Sequence, residues 1–390
     1  MKRARSRNTT LVICSTLIGV LVVEVFLRVM GISFPEFGGP NRDLGWAPIA
    51  ETSGTYAADE NVVITINREG FRDVEHPILK PDHTFRIAVL GDSFTEAREV
   101  PLKDTYWKLL EGHLGKCMSG NSQNVEMINF GVSGYGTAQQ LLLLDKHVLK
   151  YDPDIILLAI FTGNDIWNNS LELDGHERRP YFKLDNGRLV LQKLTRTPWD
   201  HNFGFLWADV RRWVFNRVRI AQAIYQARRH LRFQSKYAKL NVYQQLNYSL
   251  DKAIYVAPRD VHWQEAWQVT EGLIAAINEK GRANGSTLWI ATLTNPIQVY
   301  PDAAIRSRLT AELGVADLKY PDRRIARFAN VNKIPHVTLL DSLRKYSEEH
   351  KINLHGGKSF SGGHWNKFGH QIAAKGLSTP ICEAYGSPET

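Results

Sequence analysis

The chain has 390 residues, 43% hydrophobic and 23% charged, with a net charge of +8. That balance excludes a disordered chain, and 29 glycines with 16 prolines exclude collagen-like and low-complexity designs. Three cysteines are too few for a disulfide-dense mini-scaffold or a four-thiolate zinc site, and no repeat of roughly 20–50 residues marks a solenoid.

The basic residues Lys2, Arg3, Arg5 and Arg7 precede an uncharged, almost wholly apolar run over 11–23. The run continues as EVFLRVMGI, where the four-residue spacing puts Glu24 and Arg28 on one helix face as a pair. Residues 11–32 would span ~33 Å as a helix, enough for a bilayer core of ~30 Å. A buried soluble helix leaves the basic flank unexplained. A cleaved signal peptide suits the uncharged core, but VFLRVMGISF offers no small-x-small cleavage site. A signal anchor accounts for both features. We therefore expect residues 1–32 to be a basic cytoplasmic tail and a single-pass transmembrane helix. The chain after about Ser33 would then be periplasmic or extracellular.

Residues 33–84 are rich in turn formers and hold short apolar runs such as NVVITIN (61–67), which predicts a linker with short strands. FRIAVL (85–90), bounded by Pro81-Asp82 and Gly91-Asp92, predicts a buried strand. A helix over 103–114, a strand over 125–130 and a helix over 139–150 follow. The next strand, over 154–161, is apolar beyond its first residue, as expected of a strand covered on both faces. The rhythm breaks near 170. RPYFKLDNGRLVLQ (179–192) reads as a hairpin about Asp185-Asn186-Gly187, and 205–248 as one or two helices. It resumes with a helix over 263–282, a strand over 286–293, a helix over 321–330, a strand over 335–340 and a final helix over 366–384. Such alternation predicts an α/β fold with a central parallel sheet between two helical layers. We expect one α/β domain over 85–384 with an insertion at about 170–260, and a short tail at 385–390.

Three predicted strands end on loops of similar chemistry: Gly91-Asp92-Ser93-Phe94-Thr95, Asn129-Phe130-Gly131-Val132-Ser133-Gly134 and Thr162-Gly163-Asn164-Asp165. In an open parallel sheet these ends line the binding crevice. A hydrolytic serine needs a nearby base and donors for the developing oxyanion. The N–H groups of Ser93 and Gly134 and the side-chain amide of Asn164 are candidate donors. Gly362-Gly363-His364-Trp365-Asn366 stands just before the final helix, where a loop can return His364 to the crevice. Each residue alone has a plainer account. Ser93 can cap the next helix, and Asn164, Asp165 and Asp92 can be turn residues. Glu96 reads as a solvated helix-start carboxylate, and His370 as a packing residue.

Together, Ser93, Gly134, Asn164 and His364, in that order, resemble the SGNH (GDSL-type) hydrolase family. The Glu- and Arg-containing anchor followed by GDSFTE resembles its membrane-anchored bacterial branch. The likeness covers roughly 85–170 and 263–384. It implies a flavodoxin-like three-layer α/β/α sandwich, with Ser93 as nucleophile, His364 as general base, and Ser93, Gly134 and Asn164 as the oxyanion hole. The family usually carries an Asp two or three residues before the histidine. Here those positions are Gly362 and Ser361. We expect a Ser–His dyad whose imidazole bonds a backbone carbonyl. Asp341 is the candidate supporting acid otherwise, and weak hydrolysis is the third outcome.

The expected activity is a membrane-anchored serine esterase or acyl hydrolase, acting through an acyl-enzyme on an O-acylated glycan or a lipid-like ester. The alternatives are an O-acyltransferase of a cell-surface polysaccharide and a catalytically weak glycan-binding module. No cofactor or metal is expected, since the sequence has no HExxH, Cys/His cluster or phosphate loop. Residues 210–250 contain no Asp or Glu, yet they carry Arg211, Arg212, Arg217, Arg219, Arg228, Arg229, Arg232, Lys236 and Lys239 among aromatic residues. This basic insertion (211–239) reads either as a lid with solvated arginines or as a face for a membrane surface or polyanion. Nucleic acid is not an expected partner outside the cytoplasm. Finally, a flavodoxin-like winding sets the helices ending near Cys117 and Cys382 on one face, so a disulfide between them is expected in an oxidising compartment. Cys14, inside the anchor, would stay reduced.

Overall fold

The computed structural model describes residues 2–57, 61–119, 124–192, 204–237, 239–248, 250–356 and 363–386. Its centre is a five-stranded sheet. The strands are β1 (Thr84–Leu90), β2 (Asn124–Asn129), β3 (Ile155–Phe161), β4 (Thr287–Leu293) and β5 (His336–Thr338). They lie in the order β5-β4-β3-β1-β2, and every pairing is parallel. This is the flavodoxin-like order. Parallel strands need crossover helices, and those helices cover both faces of the sheet. Alternate strand residues feed two cores. Ala88, Leu90, Ile156, Leu158 and Ile290 pack with Trp267, Leu273 and Ile325 from the helices Val261–Ala283 and Tyr320–Val331. Ile87, Val89, Leu157 and Leu293 pack with Leu110, Leu343 and Leu377 from the helices Tyr106–Cys117, Leu340–His350 and Lys367–Tyr385.

Local chemistry moves several element ends from their predicted places. Thr105 caps the Tyr106–Cys117 helix, so the residues before it form only a short 3-10 turn, Leu102–Asp104. The helix expected over 139–150 runs as an α-helix only from Thr137 to Leu143, then widens into a π-turn over Leu144–Val148. β5 stops early because Leu340 begins a helix that the sequence pattern did not disclose.

The insertion opens with the hairpin Phe182–Asp185 and Arg188–Leu191. Asn186 and Gly187 take positive φ at its tip, the conformation a two-residue hairpin turn requires. The helices Phe205–Arg217, Arg219–Tyr237 and Val242–Leu246 follow. At the other end of the chain, the helix Lys2–Val29 contains a stretch, Asn8–Val29, long and apolar enough to cross a membrane. Two antiparallel hairpins come next: Gly38–Asn41 with Gly45–Pro48, and Ser53–Ala57 with Asn61–Thr65.

A buried charge network ties the segment before β1 to the sheet edge. His76 lies 2.6 Å from Glu126 Oε1 and 3.3 Å from Asp73 Oδ2. The fully buried Arg86 donates to Glu126 Oε2 at 2.6 Å and to the carbonyl of Tyr151 at 2.7 Å. Burial alone would lower the His76 pKa, but Asp73 and Glu126 hold it up at about 9. Its unfolded value is ~6.5, so charged His76 stabilises the fold fully below that pH and progressively less as pH rises to about 9. We expect His76→Gln to lose about 1–3 kcal/mol at pH 6, with the deficit shrinking by pH ~9.5. Urea unfolding at both pH values checks this, and an unchanged deficit would contradict it.

Cys117 and Cys382 form a disulfide between two helices on one face, with Cα atoms 6.0 Å apart. It closes a sequence separation of 265 residues, so it strongly restricts the unfolded chain. Replacing both cysteines by serine should lower stability by about 2–5 kcal/mol. Thermal melts of oxidised parent and variant measure this directly; equal melting temperatures would sink the idea.

Candidate active site

The register aligns the carboxyl ends of the strands, with Leu90 opposite Leu158 and Phe161 opposite Leu293. Ser93 opens a single helical turn, Ser93–Glu96, directly after β1. Asp92 caps that turn by accepting the Phe94 N–H at 2.9 Å. Ser93 Oγ stands 2.7 Å from His364 Nε2. On the other side of the imidazole, Nδ1 lies 3.0 Å from Glu99 Oε1. Serine, histidine and glutamate thus stand in one line.

His364 is held from several directions. Its carbonyl accepts the Gly356 N–H at 2.7 Å, and the neighbouring residues His355 and Trp365 form an antiparallel bridge. Trp365 donates its indole N–H to Thr294 at 3.1 Å. The Phe94 ring meets the imidazole edge-on, with centroids 4.9 Å apart. His355 is fully buried between Thr294 and the Gly363 carbonyl. Burial pushes its pKa down to about 3, so it braces the loop as a neutral group.

Glu99 reaches the histidine because the chain turns sharply after the nucleophile. Ala97 takes a left-handed backbone, φ 53°. Arg72, 1% exposed, clamps that turn. Its guanidinium donates to the carbonyls of Glu96 at 2.8 Å, Val100 at 2.5 Å and Ala97. Burial lowers the Arg72 pKa to about 10 against the pull of Glu96 and Glu99, which leaves it charged at neutral pH. The Glu99 side chain is 7% exposed. Burial by itself would raise its pKa, but the charge and hydrogen bond of His364 hold it below the usual carboxylate range.

The other strand-end loops are pinned to the Ser93 turn. Glu96 is fully buried; one oxygen accepts the Ser133 N–H at 2.8 Å and the Ser133 hydroxyl, and the other pairs with Arg98. It is therefore a brace between two loops, which corrects its expected role as a solvated carboxylate. Gly131 lets those loops touch: a Cβ there would lie 2.6 Å from Thr95 and 2.7 Å from the Glu96 nitrogen. Gly134 has φ +79°, and its carbonyl accepts from Arg179 at 2.6 Å. Trp46, from the first hairpin, covers this turn and donates to the Ser133 carbonyl at 2.9 Å. Asn164 hydrogen-bonds Asp92 through its side chain. Among the described residues, neither the Ser93 nor the Gly134 N–H donates to a protein acceptor.

Asp92 and Asp165 are both buried beneath the site. Burial raises Asp92 to about 6, while burial and the neighbouring Asp92 raise Asp165 well above the usual range. Asp165 accepts the Phe161 N–H at 2.9 Å, a loop-fixing role. His370 accepts the Tyr106 N–H at 3.1 Å and stacks on that ring, so it packs.

The structure thus brings Ser93 and His364 together and sets the Gly134 and Asn164 loops beside them. It does not bring Asp341, whose 66% exposed carboxylate pairs with Lys319 at 2.6 Å. The group facing Nδ1 is Glu99, which the sequence reading passed over. Ser361 and Gly362 lie outside the described residues. Beside the Glu99 loop, a cavity of about 240 Å³ is lined by Phe37, Tyr56, Arg98, Phe215, Tyr225 and Arg229, among others. Among the described residues, no group of three His, Cys, Asp or Glu side chains is arranged to hold a metal ion.

No family model and no curated protein matches the chain. Solved structures resemble it distantly. A lipase from a goat rumen metagenome shares 13% identity over 78% of this chain and 100% of its own, with a TM-score of 0.40. An acetylxylan esterase from Geobacillus stearothermophilus shares 10% over 78% and 97%, with a TM-score of 0.40. A putative acylhydrolase from Bacteroides fragilis shares 12% over 77% and 88%, with a TM-score of 0.32.

Proposed function

We propose that this chain is a membrane-anchored serine esterase of the SGNH type. The observation that carries the proposal is the line from Ser93 Oγ to His364 Nε2 to Glu99, with contacts of 2.7 and 3.0 Å. Glu99 selects the tautomer with its proton on Nδ1, which leaves Nε2 free to take the serine proton. Ser93 Oγ then attacks the ester carbonyl, and the imidazolium formed is stabilised by the Glu99 carboxylate. In this reading the Ser93 and Gly134 N–H groups, which have no acceptor among the described residues, serve as oxyanion-hole donors to the developing charge. The Asn164 amide carries two hydrogens, so one can serve Asp92 and the other the oxyanion. His364 returns its proton to the leaving alcohol, and water, deprotonated by the same base, clears the acyl-enzyme.

The substrate class we favour is an O-acylated glycan or a lipid-like ester outside the cytoplasm, because the anchor holds the site at a membrane. Transfer to a sugar hydroxyl would use the same acyl-enzyme and differ only in the acceptor. The contact of Glu99 with His364 supports the catalytic reading over a non-catalytic glycan-binding module.

The test is hydrolysis of p-nitrophenyl acetate and octanoate by the full chain in nanodiscs, with acid quenching to trap acyl-Ser93. Release of nitrophenol with an acyl group on Ser93 is expected. Acyl-Ser93 that turns over only when an oligosaccharide is added would make the chain a transferase. No acylation and no release from folded protein would defeat both.

A further inference from the structure

We infer that the helix Phe205–Arg217 lies in the interface of the membrane that holds the N-terminal helix, with its apolar stripe in the headgroup–acyl boundary. This rests on the anchor proposed above.

The first ground is the stripe itself. Leu206, Trp207, Val210, Trp213 and Val214 recur at one-, three- and four-residue steps and cover about 120° of the helix at ~100° per residue. All five are solvent-exposed in the protein, at 45–71%. The opposite face is occupied: Asn216 exchanges hydrogen bonds with the Glu36 backbone at 2.9 and 3.1 Å. The helix is therefore already packed on one side and presents five large apolar side chains on the other. Soluble surfaces rarely expose so contiguous an apolar stripe without a partner.

The second ground is depth. Glu24, in the apolar N-terminal helix, accepts the N–H groups of Arg219 and Ile220 at 3.1 and 3.0 Å. A carboxylate in the anchor thus caps the next insertion helix, Arg219–Tyr237. Arg28 pairs with Glu24 and donates to the Arg217 carbonyl, and Gln222 accepts the Phe34 N–H at 2.9 Å. Glu24 stands five residues before Val29, where the anchor helix ends, or ~7.5 Å at ~1.5 Å per residue. The joint between the two insertion helices is thus fixed ~7.5 Å below the anchor's outer end. Interfacial helices bury their apolar faces to a depth of ~5–10 Å.

The third ground is composition. Tryptophan favours the interface, and Arg217 stacks on Trp213 with its guanidinium 3.9 Å from the ring centroid. Asp209 is the one acid on the two helices, while Arg211, Arg217, Arg228 and Arg232 are exposed. Such a face suits anionic headgroups. The same helices wall the cavity beside the Glu99 loop through Phe215, Tyr225 and Arg229. The proposed membrane contact and the wall of this cavity are then two sides of the same pair of helices.

The experiment uses the full chain in vesicles of phosphatidylcholine with one quarter phosphatidylglycerol, compared with vesicles in which the phosphatidylcholine is brominated on its acyl chains. The N-terminal helix contains no tryptophan, so it is silent in this measurement. Brominated lipid should quench about one fifth of the emission, two of the chain's ten tryptophans, and the W207F/W213F variant should lose that quenching. Co-flotation with the vesicles reports the anchor separately. A chain that does not float removes the anchor and this inference together. A chain that floats with Trp207 and Trp213 unquenched overturns the interfacial helix alone. If it is also dimeric by cross-linking, a second copy covers the stripe instead.

Discussion

Ser93→Ala leaves a folded protein that turns over esters about 10⁴–10⁶-fold more slowly than the parent. The large loss follows from the position of Oγ, 2.7 Å from the imidazole and at the opening of the strand-end crevice. The unchanged fold follows from what Oγ does not do. The helical turn is capped by Asp92, and among the described residues the other hydrogen bond of the Ser93 hydroxyl is a long one to Asp92 at 3.4 Å. Removing His364 should lose a similar amount, and the double variant should be no worse than either, because the two groups act as one unit. Rates with p-nitrophenyl acetate and thermal melts of the three variants check this. Losses that multiply, or a melting temperature that collapses in Ser93→Ala, would contradict it.

Glu99→Gln should lower kcat by about 10²–10⁴ and change KM little. The amide can present an N–H to Nδ1, which would force the proton onto Nε2 and block deprotonation of Ser93. Glu99 touches His364 rather than the substrate, so it is a positioning residue, and a split between kcat and KM is the readout that a merely structural role would not give. Glu99→Asp should recover part of the rate. Asp341→Asn, which breaks an exposed pair with Lys319, should retain full activity. There is a stability signature as well. Glu99 is held below its unfolded value of ~4.3, so its ionised form stabilises the fold at neutral pH, and that contribution is lost as pH falls through the folded value. The Gln variant should lack that part of the acid dependence.

The parallel α/β architecture was legible because β1, β3 and β4 are short apolar runs bounded by turn residues and alternate with helices, whereas the flavodoxin-like arrangement came only from the family resemblance. Ser93, Gly134, Asn164 and His364 were legible for a related reason, since each sits at a strand or helix end where topology fixes its place. Glu99 was not. It reaches His364 through a left-handed residue, Ala97, and a buried guanidinium contributed by Arg72, 27 positions earlier in the chain. No spacing rule encodes a contact built that way. The helix Leu340–His350 was missed because its apolar start continues the β5 run, so strand and helix merge in the pattern. Glu96 was misjudged for the same reason as Glu99: its partners Ser133 and Arg98 become visible only once the loops are folded together.

The most direct measurement is covalent labelling of the full chain with a fluorophosphonate, read by peptide mass spectrometry, in the parent and in Glu99→Gln, His364→Ala and Asp341→Asn. The account predicts that Ser93 is labelled in the parent and in Asp341→Asn at the same rate, slowly in Glu99→Gln, and not at all in His364→Ala. Labelling of Glu99→Gln at the parental rate, or no labelling of folded parent protein, would contradict it.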